Sequence, residues 1–128
     1  MILDASALIA IALDEPEREM LVAKINAAET IGVGAPTLAE AGIVLSARAG
    51  HDASGVLVEL LAVADAVTIE FGQGHWRVAV SAWARFGKGR HPAGLNFGDC
   101  LAYATAHVAR QPLLAKGNDF TRTDIALA

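Results

Sequence analysis

A chain of 128 residues, 54% of them apolar, is long enough for one domain with a real core and too short for two. Its longest charge-free stretch near the N-terminus, Thr30 to Ala39, falls well short of the roughly 18–20 residues that a membrane span needs, and no basic segment precedes the first apolar run as a signal peptide would require. The net charge of −4 argues against a generic nucleic-acid coat protein, and the single cysteine, Cys100, excludes an intrachain disulfide, so a reducing cytoplasm is the expected compartment.

Met1 to Leu3 predicts a short buried strand. Ala5 to Leu13 reads as a helix broken by Asp14-Glu15-Pro16, and a second helix follows from about Glu17 to Ala28, with Leu21, Ile25 and Ala28 on one face. Ile31 to Gly34 predicts a strand, and Thr37 to Ala49 a helix that stops at Gly50. Asp52 can cap a helix whose stripe is Val56, Leu57, Leu60, Leu61 and Ala64. Val67 to Glu70 is rich in β-branched residues and predicts a strand. His75 to Phe86 reads as a helix, Gly87 to Gly94 as a loop, Phe97 to Arg110 as a helix and Leu113-Leu114 as a strand. Ile125 to Ala128 is a candidate last strand. This alternation predicts a parallel sheet with helices on both faces, and ligands of such sheets sit beyond the carboxyl ends of the strands.

Four acids fall at those ends. Asp4 follows the first strand, Glu40 and Asp99 lie in first turns of helices, and Asp119 follows Leu113-Leu114. Capping explains each one singly: Asp4 before Ala5, Thr37-x-x-Glu40 and Asn96-x-x-Asp99 as capping boxes, Asp119 in a turn with Asn118. Gathered on one edge, the same four can hold a hard divalent cation, and both readings stand at this level. Charge is uneven: residues 1–74 carry −8 and residues 75–110 carry +4, with Arg85, Lys88, Arg90 and His91 just before the helix of Asp99. That patch can touch phosphates or be a solvated loop. The dinucleotide fingerprint, the P-loop and zinc-ligand spacing are absent. Trp76, Val80 and Trp83 form one apolar stripe and Val78, Ala82 and Phe86 another; one can pack on the sheet, and the one left over suggests a homodimer contact.

The segments Met1-Ile-Leu-Asp4-Ala-Ser6-Ala, Glu40, Gly87 through Asn96-Phe-Gly-Asp99-Cys100 and Leu113 through Asp119 to Asp124-Ile125 are together specific. Through them the whole chain, residues 1–128, resembles the PIN-domain ribonucleases, and specifically the VapC toxins of bacterial VapBC toxin–antitoxin modules. The resemblance implies a three-layer α/β/α fold with a parallel sheet of about five strands in the order 3-2-1-4-5. It implies an endoribonuclease dependent on Mg²⁺ or Mn²⁺ that attacks tRNA or another structured RNA and leaves a 5′-phosphate and a 3′-hydroxyl. Asp4, Glu40, Asp99 and Asp119 fall on the family's acidic quartet, Ser6 on its hydroxyl position and Asp124 on an extra acid. Asp4 and Asp99 are the expected direct ligands; Glu40 and Asp119 act through water or a second ion, and Ser6 and Asn96 orient water or phosphate. The implied partners are a VapB antitoxin that covers the cleft, an RNA substrate, and further copies in homodimers and toxin–antitoxin hetero-oligomers. A housekeeping PIN nuclease, a catalytically silent PIN binding module and a phospho-acceptor receiver domain are the alternatives; the intact quartet speaks against the last two.

Overall fold

The computed structural model describes residues 1–128. Its elements are β1 (Ile2–Leu3), α1 (Ala5–Ala12), α2 (Arg18–Asn26), β2 (Gly32–Gly34), α3 (Ala35–Ala49), α4 (Ser54–Val63), β3 (Val67–Ile69), α5 (Gln73–Phe86), α6 (Phe97–Ala109) and β4 (Leu113–Leu114). The four strands form one parallel sheet in the order β3-β2-β1-β4, with six helices around it. The expected fifth strand shrinks to a single parallel bridge, Leu113 to Leu127, which still places the C-terminal tail outside β4. Each strand is only two or three residues long, so the helices supply most of the core.

Alternation along the strands divides that core into two layers. Successive strand side chains point to opposite faces. Leu3 and Leu114 face α1 to α4 and pack with Leu8, Leu21 and Leu45, whereas Ile2 and Leu113 face α5 and α6 and pack with Leu95 and Tyr103. Leu3, Leu8, Leu21, Leu95 and Leu113 are fully buried, each stabilising the fold by roughly 1.5–3 kcal/mol relative to an exposed side chain. Gly34 allows α6 to come close: a Cβ there would lie 2.7 Å from the Thr105 hydroxyl.

Two helix ends follow the local chemistry expected of them, and one expected cap is missing. Gly50, at φ 76°, ends α3, and Asp52 accepts from Ser54 N–H at 2.9 Å ahead of α4. The Thr37–Glu40 capping box does not form. The chain enters α3 directly from β2, with Gly34 as the cap and Pro36 in the first turn. Thr37 therefore lies inside the helix, its buried hydroxyl without a partner, and Glu40 has no capping duty. On α5, Ala82 and Phe86 face inward, while Trp76, Val80 and Trp83 are about half exposed and form the leftover stripe.

Candidate active site

β1 ends at Asp4, whose extended backbone makes it the cap of α1. Asp4 Oδ2 accepts from the Ser6 N–H at 3.0 Å and from the Ser6 hydroxyl at 2.5 Å. The same hydroxyl accepts from the Lys116 N–H at 2.9 Å, and the Asp4 N–H donates to Leu114 O at 2.9 Å. The ends of β1 and β4 thus meet at Asp4, with Lys116 reaching its carboxylate through the Ser6 hydroxyl. Lys116 is the site residue that sequence reasoning missed: its backbone orients Ser6, and its ammonium bridges Glu15 and Glu17 between α1 and α2. A backbone contact to a residue 110 positions away leaves no sequence signal.

Asp99 sits in the first turn of α6. Asn96 Oδ1 accepts from the Asp99 N–H and Asp99 Oδ2 accepts from the Asn96 N–H, both at 2.9 Å, so the predicted reciprocal cap forms. Asp4 and Asp99 each commit Oδ2 to local hydrogen bonds and leave Oδ1 without one. The carboxylate of Glu40 makes no hydrogen bond at all and lies against Gly98 of the same first turn. Capping is what aims these acids, so the capping and site readings coincide at Asp4 and Asp99.

Burial raises all three carboxyls, and neighbouring acidic charges add to it. Burial pushes the Asp99 carboxyl up to about 6, with the charges of Asp4 and Asp119 adding to it. Asp4 is raised by burial against the opposing pull of its Ser6 hydrogen bonds. Glu40 is raised by burial, then by the charges of Asp4 and Asp99. Asp119 is exposed on the turn after β4 and contributes charge to Asp4 and Asp99. No three His, Cys, Asp or Glu side chains stand close enough to form a ready-made cage for an ion. The donors available are all hard oxygens, the kind a hard divalent cation prefers.

Asp124 does not join this group. Its Oδ2 accepts from Arg85 Nη2 at 2.5 Å and its Oδ1 from the Tyr103 hydroxyl at 2.5 Å, which holds its carboxyl below the usual range, the Tyr103 bond first. Asp124 is a tie between the C-terminal tail, α5 and α6, and Arg85 is correspondingly a paired cation instead of a free phosphate contact. We expect Asp124→Ala to leave the Tyr103 hydroxyl without its acceptor and cost about 1 kcal/mol in urea unfolding, while RNA cleavage stays within a few-fold of wild type. A collapse of cleavage in a folded Asp124→Ala protein would make it a ligand after all.

The other basic residues divide. Arg90 stacks over Trp83 at 4.8 Å and its Nε donates to Ala84 O. His91 accepts from the Ala93 N–H through Nδ1 and packs edge-on to Phe86, so it shapes its own loop. Lys88 is exposed and has no acidic partner. Cys100 is buried in the α5/α6 core, its thiol pushed up to about 11 by burial. Beside Glu40 a groove of about 600 Å³ runs between α3 and α6, lined by Ile43, Val44, Phe71, Phe97 and Leu101.

A parallel α/β/α sheet with carboxylates at its strand ends and first helical turns is the architecture of a PIN domain, and the PIN-domain family model matches residues 1–126. Ribonuclease VapC36 of Mycobacterium tuberculosis is 43% identical over 126 residues, covering 98% of this chain and 91% of that protein. Ribonuclease VapC28 of the same organism is 43% identical over 129 residues, covering 100% and 97%. Among solved structures, Mycobacterium tuberculosis VapC20, described as a Sarcin-Ricin loop cleaving toxin, superposes with a TM-score of 0.79 at 13% identity, covering 99% of this chain and 97% of that one. A toxin–antitoxin complex from Klebsiella pneumoniae gives 0.72 at 16% identity, covering 99% and 95%; at these identities both are likenesses of fold. The chain belongs to the PIN-domain family, and within it to the VapC ribonucleases, toxins of toxin–antitoxin systems. No helix is long and apolar enough to cross a membrane.

Proposed function

We propose that this ribonuclease is a Mg²⁺-dependent endoribonuclease, with Mn²⁺ able to substitute, that cleaves tRNA or another structured RNA by phosphodiester hydrolysis. The observation that carries the reading is the gathering of Asp4, Glu40 and Asp99 at one sheet edge, where burial raises all three carboxyls and neighbouring acidic charges add to it, an arrangement that favours a cation. Asp4 and Asp99 would hold the ion directly through their uncommitted Oδ1 atoms; Glu40 and Asp119 would act through water or a second ion. When bound, such an ion polarises the scissile phosphate and lowers the pKa of water. The protein's own contribution is orientation. Ser6 and the Lys116 N–H fix Asp4, and Asn96 fixes Asp99, so that neither carboxylate need reorganise as charge develops. Within the basic patch before α6, Lys88 is the residue free to meet an RNA phosphate, with Arg90 and His91 beside it.

The relative described as cleaving the sarcin–ricin loop supports a structured RNA as substrate, and the Klebsiella complex supports an antitoxin, here a VapB protein, as the partner that silences the site. The exposed Trp76–Val80–Trp83 stripe supports a homodimer, and a toxin acting on RNA would work in the cytoplasm. Incubation of the purified chain with structured RNA in Mg²⁺, in chelator, and in chelator followed by Mn²⁺ tests the reading. Cleavage should vanish with chelator and return with Mn²⁺; undiminished cleavage in chelator defeats it.

A further inference from the structure

Gly98 has no conformational need to be glycine. Its φ is not in the positive region that glycine alone enters freely, and it stands in the first turn of α6, where a side chain is ordinarily welcome. What a side chain would meet there is specific. The three atoms nearest to a Cβ at Gly98 all belong to the Glu40 carboxyl group, with Oε2 at 2.5 Å and Cδ at 2.6 Å. The carboxylate occupies the space that every other residue type would fill.

Nothing else holds Glu40 in that place. It accepts no hydrogen bond and forms no ion pair, and the cap that sequence reasoning assigned it is absent because α3 begins at Ala35. It projects from α3 across to α6, two elements whose separation is set by core packing, including the close approach of Thr105 to Gly34. At the α6 end it meets the positive end of a helix, one residue before Asp99. We infer that Gly98 is a positioning residue for Glu40: its missing side chain is the berth that brings the Glu40 carboxylate to the first turn of α6, beside Asp99. A larger residue at 98 leaves the fold intact and moves the acid. The colliding group is the free end of a flexible side chain, which swings away at little cost, in contrast to a clash with backbone.

This inference rests on the metal-dependent reading for its consequence, but its geometry stands apart. Gly98→Ala, Glu40→Ala and the double variant separate the two. Metal-free Gly98→Ala should unfold at the wild-type temperature or higher, because alanine favours helix over glycine. Its crystal structure should show the Glu40 carboxylate displaced from α6. Mn²⁺ affinity, followed by the resonance of the free ion, should weaken about tenfold or more, the loss usual when a group that orients metal ligands is altered. RNA cleavage should fall with it. In the Glu40→Ala background, Gly98→Ala should add nothing, since a residue that acts only through its neighbour is silent once that neighbour is gone. An unmoved carboxylate, Mn²⁺ affinity within about twofold of wild type, or the same loss in both backgrounds would each overturn the role assigned to Gly98. Absence of Mn²⁺ binding by the wild-type protein would instead strike the metal reading, leaving the displacement of Glu40 to decide the berth by itself.

Discussion

Asp99→Asn should reduce RNA cleavage by at least about a hundredfold, because removing a charge proposed to hold the cation would forfeit several kcal/mol of transition-state stabilisation. The change is close to isosteric, and an asparagine oxygen can still accept from the Asn96 N–H, so the cap of α6 should survive. The protein should fold with an unchanged circular-dichroism spectrum, and its expression should no longer arrest growth. The contrast with Asp124→Ala is informative, since that carboxylate is also hydrogen-bonded at the sheet edge but is committed to Arg85 and Tyr103. Wild-type cleavage by Asp99→Asn would remove the carboxylate from the chemistry.

Mn²⁺ should raise the unfolding temperature strongly near neutral pH and hardly at all at mildly acid pH. Burial pushes the Asp99 carboxyl up to about 6 and raises Asp4 and Glu40 above their ordinary values. In the folded state these groups hold protons that the unfolded chain has already released. The metal-free protein is therefore most favoured below the ordinary carboxylate pKa and loses that stability as pH rises through about 6. Above that point the ionised carboxylates repel one another, and a cation relieves them. With Mn²⁺ a hundredfold above its dissociation constant, linkage contributes about 2.7 kcal/mol, or roughly 10 °C for a chain of this size. Thermal scans with and without Mn²⁺ on either side of pH 6 check this. An equal gain at both would place the ion away from these carboxylates.

Much of the site was readable because the signals that place it are local. A short apolar run followed by Asp4-Ala-Ser6 specifies a strand end and a helix cap within six residues, and the structure keeps both. Asn96-x-x-Asp99 specifies its own reciprocal cap. The same logic misjudged Thr37-x-x-Glu40, because β2 runs into α3 without a loop and the helix starts at Ala35, two residues before Thr37, with Pro36 in its first turn. The tail was read as a strand from its apolar residues, yet it can contribute only one bridge beside a β4 that is itself two residues long.

By itself the sequence determined a parallel α/β fold, its family and the caps that aim Asp4 and Asp99. Each of these depends on neighbours within a few residues, where periodicity and capping chemistry act. Only the tertiary structure decided that Arg85 and Tyr103 capture Asp124, that the Lys116 backbone steadies Ser6, that Trp76, Val80 and Trp83 face outward, and that Glu40 rests in the space left by Gly98. Those pairings join residues tens of positions apart. They are set by how closely helices pack across the sheet, a distance that no local pattern encodes.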